Sequence, residues 1–554
     1  MIGGDLSGVQ RFIYTVAGKG AARSLKGRSF FLQLLSEAVS ARLLEGLGLN
    51  LTCQIYNSGG HFYLLAPNMP DFEGKLDKLK DEINSLLLEE LRGEPWVVLA
   101  SIPLRPFDFK PHTFAESWSE VMEIGREKRG KFSRMARDKY SQVFGPFPGG
   151  REECTVCRAE RPVDRIEGEE VCYLCQSFEE LGKDLRQVRY LMERHHLPDG
   201  LHRDDYRRLM YKLSGRYIEA GREPAEVASG EALYQVNEFC LSGLTPLAFP
   251  TGQLPLGVTP VLGYRVVGVH TPEKEGKIAD FDELAKRATG AKKLGVVRMD
   301  VDKLGQTFKS GLGDEATPSR VATLSSLLSD FFEGYISHLL KRDFKDHLYL
   351  IYSGGDDLFI VGSWDKAIEA AAKIEEEFRR YTGGALTLSA GVVVADPKDP
   401  ILHLAHLAGE SEERAKAYRK EKDALTLFET SLGWEELLPY RDLKDKLYQG
   451  IGTGIDEKRL PTSFLWRLYD AYNAYLKERE IIEKEGKTGD DLKTLARWHR
   501  WRWQLVYSLR GYAKEEGPLA DLVREVQAMI LDKEIEEKLR IALRWAELLI
   551  RELR

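Results

Sequence analysis

The sequence predicts an α+β fold: two ferredoxin-like palm (nucleotidyl cyclase-like) domains at residues 1–145 and 261–430, a zinc-ribbon linker domain at 146–260, and an all-α C-terminal domain at 431–554. Three observations predict it. A hairpin pattern with a Gly-Gly tip occurs twice, at Cys53–Ala66 and Tyr349–Gly362, and each copy follows an Asp-bearing strand. Asp5 lies as far before Ser58 as Asp300 lies before Ser353, which marks an internal repeat of strand, long helix and hairpin. Two Cys-x-x-Cys pairs stand between the repeats, and the tail carries helical periodicity nearly throughout.

Length and composition agree with this division. At ~150 residues per domain, 554 residues hold three or four domains. With 43% hydrophobic and 30% charged residues the composition is that of a globular protein in water. No apolar run reaches membrane length and no signal-peptide pattern opens the chain, so a cytoplasmic protein without membrane contact is expected. The net charge of -7 excludes a uniformly basic nucleic-acid coat and leaves room for local basic faces.

Taken in order, Ile2 to Asp5 reads as a short strand, and a helix including Phe30-Phe31-Leu32-Gln33-Leu34-Leu35 follows. The first hairpin carries Ser58-Gly59-Gly60-His61-Phe62 at its tip. Residues 126–140 hold seven basic residues against two acids, a pattern that suits either a solvated helix face or RNA contact. Cys154, Cys157, Cys172 and Cys175 have the spacing of two zinc knuckles, four thiolates for one closed tetrahedral Zn²⁺ site. Cys53 and Cys240 are left over and read as small buried hydrophobes. Residues 180–240 read as charged and mostly helical, and 241–262 as an irregular Gly/Pro-rich connection. In the tail, Ala496 to Trp503 interleaves Arg with Trp; core packing is the favoured reading and base stacking the other. Leu539, Ala542, Leu543, Ala546, Leu549 and Ile550 give the final helix, Ile535 to Arg554, a face to pack.

The chemistry centres on the second hairpin, Ser353-Gly354-Gly355-Asp356-Asp357. Adjacent acids between two apolar strands repel and are costly to bury, and a divalent cation relieves both. A solvated Gly-Asp turn is the competing reading of that hairpin alone. Asp300 and Asp302, two apart at a strand end, would face the same way and join Asp356 and Asp357 around two Mg²⁺ or Mn²⁺ ions. Gly354 and Gly355, next to Ser353, would let a triphosphate approach the backbone. The first hairpin keeps Asp5 but has His-Phe for Asp-Asp, so Ser58, Gly59 and Gly60 would hold a nucleotide without the transferring metals. Nucleotidyl transfer or nucleotide cyclisation fits.

The opening Gly3-Gly4-Asp5-Leu6-Ser7-Gly8-Val9-Gln10-Arg11-Phe12-Ile13-Tyr14, the stretch Leu25-Lys26-Gly27-Arg28-Ser29-Phe30, the four cysteines and the Gly-Gly-Asp-Asp hairpin together resemble the polymerase-like large subunit of type III CRISPR effector complexes, in its Csm-type (III-A) branch. The resemblance covers essentially the whole chain. It implies a synthase that makes 3′–5′ cyclic oligoadenylates from ATP when an antiviral, guide-RNA-containing complex holds target RNA. It implies Asp300, Asp356 and Asp357 as metal-binding acids, Asp302 as a supporting acid, Ser58, Gly59 and Gly60 around the second ATP, and Lys416 on a triphosphate. The implied partners are an RNA-recognition-fold subunit beside the first palm and a small helical subunit near the C-terminal domain. Members of the family usually begin with a nuclease domain bearing a His-Asp motif; none of the 11 His here precedes an Asp, and no single-strand DNase activity is expected of this chain. A diguanylate cyclase shares the hairpin but needs neither the second palm nor the cysteines. A catalytically silent RNA-binding scaffold is the third reading, against which the acids speak.

Overall fold

The computed structural model of the chain describes residues 1–16, 21–127, 140–141, 145, 152–166, 168–223, 228, 230–237, 261–452, 460–484, 492–512, 517–530 and 538–551. The first half runs β1 (Ile2–Ser7), α1 (Val9–Tyr14), α2 (Ala21–Gly46), β2 (Gln54–Ser58), β3 (His61–Leu64), α3 (Phe72–Leu91), β4 (Trp96–Ser101) and α4 (Pro111–Glu127). Its antiparallel sheet has the order β2-β3-β1-β4. Helix α2 packs on it because Leu25, Phe31, Leu35, Ala38 and Val39 recur at helical spacing and are buried. Most of the basic stretch 126–140 lies outside the described residues.

The linker contains the hairpin β5 (Val163–Ile166) and β6 (Glu169–Cys172), then α5 (Tyr173–Leu185), β7 (Tyr190–Arg194), α6 (Tyr206–Ser214), β8 (Tyr217–Gly221), β9 (Ala232–Val236) and β10 (Val261–Arg265). Helix α5 crosses α2 at backbone contact: a Cβ on Gly27 would lie 1.8 Å from the Phe178 carbonyl oxygen, and one on Gly182 would lie 2.0 Å from that of Arg23. Only glycines permit this crossing. Two expectations are corrected here. Residues 180–240 are a mixed α/β unit, since β7, β8 and β9 form a sheet that sequence patterning hid under alternating charges. Strand β10 pairs in parallel with β9, so the linker extends through Arg265 and the boundary drawn at 260 falls one strand early.

The second half continues with β11 (Glu273–Lys274), β12 (Lys277–Ile278), α7 (Phe281–Lys286), β13 (Leu294–Val301), α8 (Pro318–Ser329), a π-helical stretch (Asp330–Tyr335), α9 (Ile336–Asp343), β14 (Leu348–Gly354), β15 (Asp357–Ser363), α10 (Trp364–Tyr381), β16 (Leu388–Ala395), α11 (Ile401–Tyr418), β17 (Ala424–Leu427) and β18 (Thr430–Gly433). Its sheet order, β14-β15-β13-β16-β17-β18, repeats the order of the first half and adds two strands. β18 carries the sheet past the expected boundary at 430. The β17–β18 turn is made by Phe428 and Glu429 at φ 50° and 66°, without the Gly or Asn that normally announces such a turn.

The C-terminal part is helical as expected: α12 (Leu437–Gly452), α13 (Thr462–Lys484), α14 (Leu492–Leu509), α15 (Pro518–Ile530) and α16 (Leu539–Ile550). The predicted packing face of α16 is buried, and the Ala291 amide ahead of β13 donates to the Leu548 carbonyl at 2.7 Å, tying this helix to the second palm. Among the described residues no helix is long and apolar enough to cross a membrane.

Candidate functional site at the paired hairpins

The two hairpins meet tip to tip. A Cβ on Gly59 would lie 3.0 Å from the Gly355 Cα, and one on Gly355 would lie 3.1 Å from the Gly59 Cα, so backbone faces backbone across the junction. The tips differ by one residue in register. In the first, Ser58 pairs with His61 and the turn is Gly59-Gly60, both at positive φ; in the second, Gly354 pairs with Asp357 and the turn is Gly355-Asp356, with Gly355 alone at positive φ. The shift makes Asp357, not Asp356, the cross-strand partner of Asp300, as His61 is the partner of Asp5.

Asp300 and Asp357 therefore share one face of the sheet, while Asp356 occupies the turn and its carbonyl accepts from the Val301 amide at 3.0 Å. Burial pushes all three carboxyls above the usual carboxylate range, Asp356 to about 7 with Asp300 adding to the shift, and Asp357 well up under the further influence of Asp356 and Asp300. Two cations answer them: Lys416 on α11 contacts Asp300 at 2.7 Å and Glu412 at 2.5 Å, and the Arg298 guanidinium opposes the rise at Asp300 and Asp357. Glu412 in turn binds Arg298 at 2.8 Å, and Arg298 donates to Gln10 of α1 at 3.2 Å. Burial lowers the Lys416 ammonium, but Asp300 and Glu412 outweigh it and hold it protonated. Hard carboxylate oxygens that repel one another while buried are the donor set that divalent Mg²⁺ or Mn²⁺ prefers.

Sequence reasoning placed Asp302 with these acids, and the structure corrects that. β13 ends at Val301, and the Asp302 carboxylate accepts from Ser389 Oγ at 2.7 Å, Thr387 Oγ1 at 2.9 Å and the Asp423 amide at 2.9 Å. Both its oxygens tie β13 to neighbouring segments. Ser58 and Ser353 are likewise engaged. Ser58 Oγ donates to Glu333 Oε1 at 3.1 Å and accepts from Ser329 at 2.8 Å, and Ser353 Oγ donates to the Phe332 carbonyl at 2.5 Å.

Glu333 and Lys26 were not legible in the sequence. Glu333 sits in the π-helical stretch, buried between the palms, and also accepts from Gln33 at 3.2 Å. Burial raises its carboxyl to about 7. Lys26 donates to the carbonyls of Gly268 and Leu350, and burial lowers its ammonium to about 7, with Glu333 opposing. Glu333, Lys26, Ser353, Gly354, Gly59 and Gly60 all border a small cavity of about 30 Å³, room for about one water. On the other side of the tips a cavity of about 270 Å³ extends from Asp5 and His61 to Gly355 and Asp356, walled by Tyr56, Tyr63, Trp118 and Phe308. Asp5 and His61 are 3.2 Å apart there, an imidazole standing where the second half has a carboxylate.

Away from the tips, the sulfurs of Cys154, Cys157, Cys172 and Cys175 lie within 4.8 Å of one another, the only such cluster of ligand atoms among the described residues. Arg28 of α2 donates to Cys175 Sγ at 3.2 Å, and the Cys172 amide donates to Cys154 Sγ at 3.3 Å. Four thiols held this close, with donors aimed at two of them, suit a thiophilic divalent ion. Cys53, expected to be buried, is only partly so; Cys240 lies outside the described residues.

Fold and site together define a protein of paired palm halves, one carrying an acidic hairpin and the other a neutral copy of it. A family model described as Csm1 subunit domain B matches residues 1–146, and one for the second palm domain of Cas10/Cmr2 matches residues 293–426. The chain is 33% identical over 508 residues to the CRISPR system single-strand-specific deoxyribonuclease Cas10/Csm1 (subtype III-A) of Methanocaldococcus jannaschii, covering 80% of this chain and 60% of that protein. Two solved Csm1-Csm4 cassettes, one in complex with one ATP and one with cA3, superpose with a TM-score of 0.65 at 23% identity; they cover 99% and 96% of this chain, and 70% and 69% of theirs. The chain belongs to the Cas10/Csm1 family of subtype III-A CRISPR systems.

Proposed function

We propose that this chain is the part of a type III-A effector subunit that joins ATP into cyclic oligoadenylates. The observation that carries the reading is the asymmetric junction: of two touching glycine tips, the second has Asp300, Asp356 and Asp357 with it, and the first has Asp5 and His61. Solved neighbours of the same fold hold ATP and cA3, which supports nucleotides as ligands here.

In this reading two ATP molecules meet across the tips, one over each half. The 3′-hydroxyl oxygen of one bonds to the α-phosphorus of the other, pyrophosphate leaves, and the hydroxyl proton passes to solvent. Asp300, Asp356 and Asp357 would hold Mg²⁺ or Mn²⁺, which when bound supplies activation of the hydroxyl and charge neutralisation at the leaving group. Lys416 stands within reach of Asp300 to neutralise triphosphate charge. Beside the Gly59–Gly355 contact, Gly354 and Gly60 leave the backbone open to phosphate, and the engaged hydroxyls of Ser58 and Ser353 fix the loops rather than the ligand. The four clustered cysteines would hold a structural Zn²⁺. Guide RNA, target RNA, an RNA-recognition-fold subunit at the first palm and a small helical subunit at the C-terminal domain complete the assembly.

Mass spectrometry after incubating the assembled complex with Mg²⁺ and ATP or GTP, with and without target RNA, tests the reading. Cyclic oligoadenylates from ATP, dependent on target RNA, are expected. A cyclic dinucleotide from GTP alone would make the protein a diguanylate cyclase, and no product from either would favour a silent scaffold.

A further inference from the structure

Helix α14 with the adjoining Arg510 contains Lys493, Arg497, Arg500, Arg502 and Arg510 and not one acid, in a chain whose net charge is -7. Its inward side is settled by packing: Trp501, Leu505 and Leu509 are buried, and the Trp501 ring centroid lies 5.3 Å from that of Tyr475 on α13. The side chains of residues 492–499 lie outside the described set. Core packing, favoured for this segment from sequence, thus holds for Trp501.

It does not hold for the opposite face. Trp503 is 77% exposed and Tyr507 65% exposed, with Arg500 and Arg510 exposed as well. Positions 500, 503, 507 and 510 advance by alternate steps of three and four, so they form one stripe along the helix, about 15 Å long at 1.5 Å per residue. The Arg510 guanidinium carbon stands 4.0 Å from the Tyr507 ring centroid, a planar cation stacked on a ring that faces solvent. Large aromatic faces left in water between cations are out of keeping with a merely solvated helix, whose exposed side normally mixes both signs of charge.

We infer that this stripe binds single-stranded nucleic acid, with bases stacking on Trp503 and Tyr507 and phosphates paired by Arg500 and Arg510. The chemistry is that of sequence-tolerant single-strand binding, in which aromatic rings take any base and a basic track follows the backbone. That α14 itself carries bases and no acid favours a polyanion over an acid-bearing and base-bearing protein surface. The site lies apart from the hairpin junction, so it stands or falls independently of nucleotide synthesis.

The test uses the full chain, fluorescein-labelled oligo-uridine and oligo-deoxythymidine of about 15 nucleotides, and fluorescence anisotropy across a salt series. Trp503→Ala with Tyr507→Ala is expected to weaken binding by about tenfold or more, as loss of two stacking platforms does. Arg500→Gln with Arg510→Gln is expected to flatten the dependence of log K on log salt by about 1.4, since each phosphate contact on a single strand contributes about 0.7. Other basic segments add equally to wild type and variants, and circular dichroism and zinc content check folding. Unchanged affinity and salt slope in both variants would overturn the inference. So would retained oligonucleotide affinity together with lost assembly into the effector complex, which would make the stripe a protein-docking face.

Discussion

Glu333 is the residue whose surroundings carry the sharpest consequence for stability. Buried between the palms, its carboxyl keeps its proton to about pH 7 in the folded protein, against an ordinary value of 4.5 when unfolded. Between those limits the native state binds more protons than the unfolded one, so this group lowers stability as pH rises from about 4.5 to 7 and adds no further change above. Lys26, lowered to about 7, acts in the opposite sense at higher pH: the unfolded chain holds the extra proton, and stability rises from about 7 towards its ordinary 10.5. Glu333→Gln should therefore melt with a smaller loss of Tm between pH 5 and 7.5 than the wild type. Parallel pH profiles for the two proteins in calorimetry would contradict this account of the buried carboxyl. Neither residue was legible in the sequence, because a single Glu after Phe331-Phe332 and a single Lys in α2 look like ordinary helix surface until the two halves are brought together. Asp302 failed for the converse reason. It was read as a strand-end acid beside Asp300, and only the strand pairing shows that Ser389, Thr387 and the Asp423 amide already claim it.

At the scale of elements, the hairpins were legible because their signals are local: apolar runs around Gly-Gly tips, and Asp-bearing strands ahead of them. Their relative register was not, since a one-residue shift leaves the sequence spacing intact and changes only which residue opposes Asp300. The β17–β18 hairpin was missed because its turn residues are Phe428 and Glu429, and β10 was lost next to a Gly/Pro-rich connection. The contact of the two tips makes a graded prediction. Ala at Gly59 meets both a left-handed backbone, at φ 61°, and the Gly355 Cα at 3.0 Å, whereas Ala at Gly60, φ 83°, meets nothing nearer than Leu6 Cβ at 3.6 Å. Both substitutions should cost about 1–2 kcal/mol of stability from backbone strain. Only Gly59→Ala should also push the tips apart and reduce product formation well beyond Gly60→Ala; equal rates in the two variants would show that close apposition does not matter.

For the whole molecule, the order of the parts was legible from the repeat, the cysteine spacing and the helical tail, whereas the way the halves face one another was not. That arrangement is what brings the acidic tip and its neutral copy to one junction. Each half alone offers a sheet edge with a glycine turn; apposed, they enclose a cavity bordered by Asp356 of the second tip and by the Asp5–His61 pair of the first. Helix α16 is tied to the segment before β13, and α14 packs on α13 through Trp501 and Tyr475 with its Trp503 and Tyr507 left exposed. The central claim is that the acids of the second tip perform the transfer. Its most direct test is Asp356→Ala with Asp357→Ala in the assembled complex, with products of ATP resolved by mass spectrometry and target RNA binding measured alongside. The account predicts loss of cyclic oligoadenylates by a hundredfold or more at unchanged RNA affinity, in the range of ~10²–10³ for removal of groups that stabilise a charged transition state. Undiminished product from the doubly substituted complex would contradict it.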